Sequence, residues 1–217
     1  MSRTAPGFAI LLSAILVCMV WLDRDVALVF GAMKQQMPAV IAPFQVITTL
    51  GKSMWYLYPL GLYSAYAAIM LRLRPSERTL WLSRLQISLF IFANVALSGL
   101  TVDIIKILAG RPRPVILLEE GIFNQFTPFV LKSRWWSFPS GHSVTALSLA
   151  LAASLFWPRW RWALLACAGL VGASRVIVTA HYPSDVIGGF TIAVIVFMGL
   201  TRLFEVRGWT NWRKEKT

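Results

Sequence analysis

Six stretches of this chain are too long and too apolar to be loops, and 217 residues cannot build a soluble core large enough to hide them all. They run approximately from Phe8 to Leu22, Trp55 to Leu71, Leu85 to Ala109, Ser143 to Trp157, Trp162 to Ala180 and Val186 to Phe204. Lipid offers no partner for unpaired backbone groups, so each stretch reads as a bilayer-spanning helix. The expected fold is an all-α integral membrane six-helix bundle, one membrane-embedded domain over residues 1–217. Composition points the same way, with 57% of residues apolar and 14% charged, against about a quarter charged in ordinary soluble domains. A formal charge of +12 on a soluble protein would suggest nucleic acid. Here the cations interrupt apolar runs, as in loops that face anionic headgroups, so the expected partner is the lipid bilayer and not nucleic acid. Cys18 and Cys167 lie inside apolar runs without metal-ligand spacing, and neither a disulfide nor a zinc site is expected.

The first stretch follows Arg3 and is short enough to resemble a secretory signal. Val20, Trp21, Leu22 and Asp23 make a poor cleavage site, and Leu16 and Val17 before Cys18 do not suit a lipoprotein signal, so it reads as an uncleaved anchor. Orientation follows from the basic residues, which are enriched on the cytoplasmic side. One side carries Arg3, Arg72, Arg74, Arg78, Arg84, Arg159, Arg161, Arg202, Arg207, Arg213, Lys214 and Lys216 against Glu77, Glu205 and Glu215. The other carries nine basic and six acidic residues. Both termini are therefore expected in the cytoplasm, with segments 23 to 54, 111 to 138 and 181 to 185 facing out of a bacterial inner membrane.

Two outer segments are too apolar for free loops. Residues 26 to 50, broken by Pro38 and Pro43, read as short helices lying in the interface on the outer face. Residues 123 to 138 carry Phe123, Phe126, Phe129, Trp135, Trp136 and Phe138, which suit an aromatic belt as well as a lid or lipid gate.

Ionisable groups at the ends of spans are expensive and mark function. Four groups stand out: Lys106 with Arg111 and Arg113; Pro139 to His142; Ser174 and Arg175; and His181 with Asp185. The span count puts all of them at one membrane face. The chemistry they suit is phosphoryl transfer, which needs cations around a phosphoryl group, a nucleophile and an acid for the leaving oxygen. Lys106, Arg113 and Arg175 supply charge. Ser140 stands at an N-cap position, where backbone donors of Gly141 and His142 can hold an anion. No acidic cluster suits magnesium and no thiolate is at hand, so the nucleophile is expected to be an imidazole, with neither metal nor cofactor. His181 has a carboxylate four residues on, Asp185, able to fix its tautomer, which leaves His142 as the acid. Arg111 suits either phosphate contact or headgroup anchoring, as does Lys52, and Asp103 reads as the partner of a nearby cation.

These residues resemble the signature of the type-2 phosphatidic acid phosphatase family, the membrane branch of a superfamily shared with vanadium haloperoxidases. Lys, six residues, Arg-Pro matches Lys106 to Pro114; Pro-Ser-Gly-His matches Pro139 to His142; Ser-Arg, five residues, His, three residues, Asp matches Ser174, Arg175, His181 and Asp185. The resemblance implies a six-helix membrane core and a metal-independent site. In it, His181 would form a phosphohistidine, Asp185 would orient it, and His142 would protonate the leaving group. Lys106, Arg113, Ser140, Gly141 and Arg175 would hold the phosphoryl oxygens. The expected function is phosphate removal from a membrane lipid: phosphatidylglycerophosphate, phosphatidate, an isoprenyl pyrophosphate or lipid A. A lipid phosphotransferase would use the same intermediate, and a non-catalytic lipid-binding or scramblase-like protein would not need both histidines. The sequence sets no oligomeric state.

Overall fold

The computed structural model describes residues 5–209, and every regular element among them is a helix. Arg3, Arg213, Lys214, Glu215 and Lys216, used above for orientation, lie outside the described residues. In chain order the helices are α1 (Ala5–Val17), α2 (Asp23–Gln36), α3 (Pro38–Ile47), α4 (Met54–Leu73), α5 (Arg78–Ala109), α6 (Pro114–Glu120), α7 (Gly141–Phe156), α8 (Arg161–Ile177) and α9 (Pro183–Val206). Segments Pro6–Gln36, Pro75–Glu120, Pro158–Ile177 and Pro183–Val206 are long and apolar enough to cross a membrane. Helix α7, with 16 residues, is apolar but shorter, and four tyrosines, Trp55 and Pro59 dilute the apolar character of α4.

The first expected span differs from the structure in its end. Asp23, Arg24 and Asp25 look like the exit from the bilayer, yet the chain runs on helically from α1 through a π-turn at Cys18–Leu22 into α2. The physical reason is that Asp23 is buried and paired, so its charge does not force the chain into water. Residues 26 to 50 are therefore the end of one long helix followed by α3, where Pro38 takes the first position and supplies a preset φ.

The 32-residue α5 is the central element and packs on α4, α7 and α9. Its inward face carries small polar groups that join helices by direct hydrogen bonds. Ser64 Oγ donates to Ser88 Oγ at 2.9 Å and Asn94 Nδ2 to the Ser148 carbonyl at 2.7 Å. Away from the site, Phe90, Ile91, Ala152, Leu200 and Phe204 form a dry core, with the Phe90 and Phe204 rings edge to face at 5.1 Å. Large side chains such as Leu62, Leu100, Trp162 and Leu170 point outward and exposed, a surface that needs hydrocarbon around it. The protein is accordingly a membrane protein.

Helix α5 ends at Gly110, whose φ of 54° is left-handed. A Cβ there would lie 1.6 Å from the Thr127 carbonyl oxygen, so only glycine lets the 121–139 segment close over the end of the helix. That stop turns the chain directly into Arg111 and Arg113.

Candidate active site

The ends of α5, α7, α8 and α9 meet here, and local geometry fixes each side chain. Helix α7 starts at Ser140, an extended N-cap whose Oγ accepts from the Ser143 hydroxyl at 2.8 Å and lies 3.4 Å from the Ser143 amide. The Ser140 amide donates to the Asp185 carbonyl at 2.9 Å, tying the start of α7 to the start of α9. Helix α9 starts at Pro183, and the Asp185 carboxylate reaches back to accept from the Tyr182 amide at 2.9 Å. Between α8 and α9, the amides of Ala180 and His181 both donate to the Arg175 carbonyl, at 3.0 and 3.1 Å. This turn aims Arg175 and His181 at the same space.

His181 is the best-defined group in it. Only 3% of the residue is exposed, and its Nδ1 lies 2.7 Å from the Ser137 carbonyl and 3.4 Å from Asp185 Oδ2. A carbonyl can only accept, so Nδ1 carries the hydrogen and Nε2 holds a free lone pair. Burial pushes this imidazole down to about 4, against the opposing pull of Asp185. It is neutral at ordinary pH, the state a nucleophile requires.

Asp185 is fully buried and saturated. Oδ2 accepts from Ser137 Oγ at 2.6 Å as well as from Tyr182, and Oδ1 accepts from Arg111 at 2.5 Å. Arg111 resolves one alternative left open by the sequence. It is fully buried, and its two terminal nitrogens donate to Ser184 Oγ, Asp185, Asp23 and Asn124 at 2.7, 2.5, 2.8 and 2.6 Å. Its plane covers the Tyr182 ring at 4.4 Å. The fork is committed to the protein and not directed at a phosphate.

The other cations are placed differently. The Nε atoms of Arg111, Arg113 and Arg175 are all buried without hydrogen-bond partners among the described residues, but only Arg111 has both terminal nitrogens taken up by protein acceptors. Arg175 also donates to Thr48 Oγ1 at 2.5 Å. Lys106 Nζ lies 3.2 Å from the exposed Asp103 carboxylate, the pairing expected for Asp103. A Cβ added to Gly141 would come within 3.0 Å of that same Nζ. His142 lies within electrostatic reach of Arg175, His181, Lys106 and Arg113. All eight sequence-predicted site residues are thus brought together. Among the described residues no three His, Cys, Asp or Glu side chains cluster as metal ligands.

A cavity of about 280 Å³ opens beside His142, lined by Gly51, Lys52, Ser53, Asp103, Lys106, Gly141 and His142 among others. Lys52 therefore lines the same cavity as His142 and Lys106. An apolar cavity of about 170 Å³, lined in part by Leu50, Ala146, Leu149, Leu164 and Val171, follows it along α7 and α8. The aromatic segment splits its tasks. Phe123 packs on Tyr182 with ring centres 5.6 Å apart, while Phe129 and Leu131 stand exposed.

Asp23, Ser137, Asn124 and Ser184 belong to this constellation and carry no motif. Asp23 alone had a signal, a carboxylate at the end of an apolar run.

The arrangement has counterparts among known proteins. The chain is 35% identical over 211 residues to a lipid A 1-phosphatase of Rhizobium johnstonii, spanning 91% of this chain and 83% of that one. It is 34% identical over 111 residues to an undecaprenyl-diphosphatase of Sulfolobus acidocaldarius, spanning 48% of this chain and 54% of that one. A transmembrane PAP2 type phosphatidylglycerolphosphate phosphatase from Bacillus subtilis has the same fold, with a TM-score of 0.60 at 23% identity over 94% of this chain and 97% of that one. A model of the PAP2 superfamily matches residues 87–209, the stretch that holds Lys106, Arg113, Ser140, His142, Arg175, His181 and Asp185. By that match and by the long alignment to the Rhizobium protein, this chain belongs to the PAP2 superfamily.

Proposed function

We propose that the chain is a metal-independent lipid phosphatase working through a phosphohistidine on His181, with a lipid A-type glycolipid phosphate as its first-choice substrate. The observation that carries this reading is the neutral His181, held through Nδ1 so that Nε2 keeps its lone pair, with Arg113 and Arg175 within electrostatic reach of the ring. Nε2 attacks phosphorus, the bond from phosphorus to the lipid oxygen breaks, and His142, which enters the step as an imidazolium paired with the bound phosphate anion, gives that oxygen its proton. Water then attacks the phosphohistidine, with His142 taking the proton back, and inorganic phosphate leaves. Lys106, Arg113, Arg175, Ser140 and the Gly141 backbone hold the phosphoryl oxygens as charge shifts among them. Asp185 stabilises the imidazole as it becomes positive.

Helices α1, α4, α5, α7, α8 and α9 form the six spans of a single membrane-embedded domain. Charge asymmetry supports cytoplasmic termini and a site at the outer face of a bacterial inner membrane. The apolar cavity beyond the site suits an acyl chain. The long similarity to a lipid A 1-phosphatase supports the substrate choice over an isoprenyl pyrophosphate, phosphatidate or phosphatidylglycerophosphate.

The test is phosphate release from a panel of these four lipid classes by the solubilised protein, in EDTA, combined with trapping of the phosphoenzyme. Lipid A should be the best substrate, and His181→Ala should abolish both turnover and the acid-labile phosphoenzyme. His142→Ala should lose roughly 100- to 10,000-fold on lipid and much less on p-nitrophenyl phosphate, whose leaving group needs little protonation. Loss of activity in EDTA restored by magnesium, or phosphate trapped on His142, would overturn the mechanism. Phosphate passed to a lipid or sugar in place of water would identify a transferase.

A further inference from the structure

Asp23 lies outside every motif, yet it is fully buried in the middle of the site's polar network. Its Oδ1 accepts from the Ser184 amide at 3.0 Å, and its Oδ2 from the Ser184 hydroxyl and from Arg111 at 2.8 Å. Burying a carboxylate is costly unless it is paired and hydrogen-bonded, so a charge kept here needs a reason.

Charge counting supplies one. Arg111 and Asp185 form a fully buried pair at 2.5 Å. Taken alone, that pair is neutral and offers little to an imidazole that turns positive. With Asp23 on the other nitrogen of the same guanidinium, the cluster carries one net negative charge. Arg111 is then shared by two carboxylates, and Asp185 keeps more of its own field for His181, 3.4 Å away.

The local backbone is shaped to the same end. The π-turn closes on Asp23 itself, whose amide donates to the Cys18 carbonyl five residues back. A turn of this kind shifts the register of the helix beyond it, and such turns are frequent at functional sites. The Met19 carbonyl in that turn accepts from Asn124 Nδ2 at 3.0 Å, and the same Asn124 accepts from Arg111.

We infer that Asp23 is a positioning residue for catalysis, which offsets the charge of Arg111 so that Asp185 can stabilise His181 as it becomes positive. This rests on His181 being the nucleophile. Asp23 acts through Arg111 and Asp185 and touches no substrate.

Two variants change this charge in opposite senses. Asp23→Asn removes one negative charge at nearly constant shape. Asn124→Asp adds one on a half-buried loop residue whose left-handed φ of 51° aspartate tolerates. The first readout is the His181 imidazole titration by nitrogen NMR. Asp185, Arg113, Arg175 and His142 also face that ring and stay the same in both proteins. The His181 titration should move to lower pH in Asp23→Asn and to higher pH in Asn124→Asp. In Asp23→Asn, phosphoenzyme formation should slow by up to roughly 10-fold for each pH unit by which the His181 titration falls, with KM nearly unchanged.

A structural role alone would lower the melting temperature of Asp23→Asn and leave its titration and its rate per folded molecule at wild-type values. That result overturns the inference. If Asp23→Asn fails to fold, Asn124→Asp decides the question, and an unshifted or downward His181 titration overturns it. Failure of the parent reading looks different: His181→Ala would still form the phosphoenzyme, while the titrations of the other two variants would still report on the Asp23 charge.

Discussion

His181 shows how much one side chain can reveal when its surroundings are fixed. In an unfolded chain its imidazole titrates near 6.5, and in the folded protein at about 4 because it is buried. The unfolded chain therefore takes up the proton first. The folding stability linked to this group is complete above about pH 6.5 and falls as the pH drops from there toward 4. Thermal unfolding in detergent should show that decline, with a slope of up to about 1.4 kcal/mol per pH unit for one proton, and His181→Gln should flatten it. A variant with the wild-type slope would mean that His181 keeps its ordinary titration in the folded state. The eight motif residues were legible in the sequence because three short spacings carry them. Ser137, Asn124 and Ser184 were not, because their roles arise from contacts across 48, 13 and 73 residues that no local pattern encodes. Arg111 was legible as a residue of interest and ambiguous in role, since only its partners show that its fork points inward.

At the scale of elements, the site depends on how closely α9 approaches the start of α7. A Cβ at Gly189 would lie 2.6 Å from the Ser140 carbonyl oxygen and 3.3 Å from Ser143 Cβ. Gly189→Ala should therefore push the two helices apart, costing about 1–3 kcal/mol as other overpacked sites do, and should depress turnover by displacing Ser140 and Asp185. Gly199→Ala, on the same helix with no atom near its Cβ, is the control and should be neutral or slightly stabilising. Equal stability and activity in the two variants would show that α9 has room to shift. Helix existence was readable from apolar length, with ends displaced by at most seven residues in five of the six cases and the end of α5 at Ala109 matched. The larger difference, at the first span, came from ending the helix at Leu22, where the apolar run stops. Apolar periodicity says where charge is costly but not whether a partner 88 residues away will meet it.

For the whole molecule, the proposed orientation, which the charge asymmetry supports, can be tested at two exposed positions. Leu131 is 75% exposed on the segment expected outside, and Ser76 is exposed in the turn expected inside. In a background where the exposed Cys167 is serine, Leu131→Cys should react with an impermeant thiol reagent added to intact cells. Ser76→Cys should react only after lysis. The reverse labelling would move the site to the cytoplasmic face and replace its candidate lipids with those of the inner leaflet.

The bond between Asp23 and Ser184 spans 161 residues, which bears on the biogenesis of this protein. A ribosome delivers α1 and α2 before α5 and α9, with a carboxylate whose guanidinium partner is synthesised 88 positions later and whose serine partner comes with α9. Until Arg111 emerges the nascent protein carries an anion without its guanidinium partner, and until α9 emerges the site is incomplete. Activity therefore waits for docking of α9, which brings His181 and Asp185 to the rest of the site, and a translation product stalled before α9 has no means of stripping phosphate from the membrane into which it is being inserted.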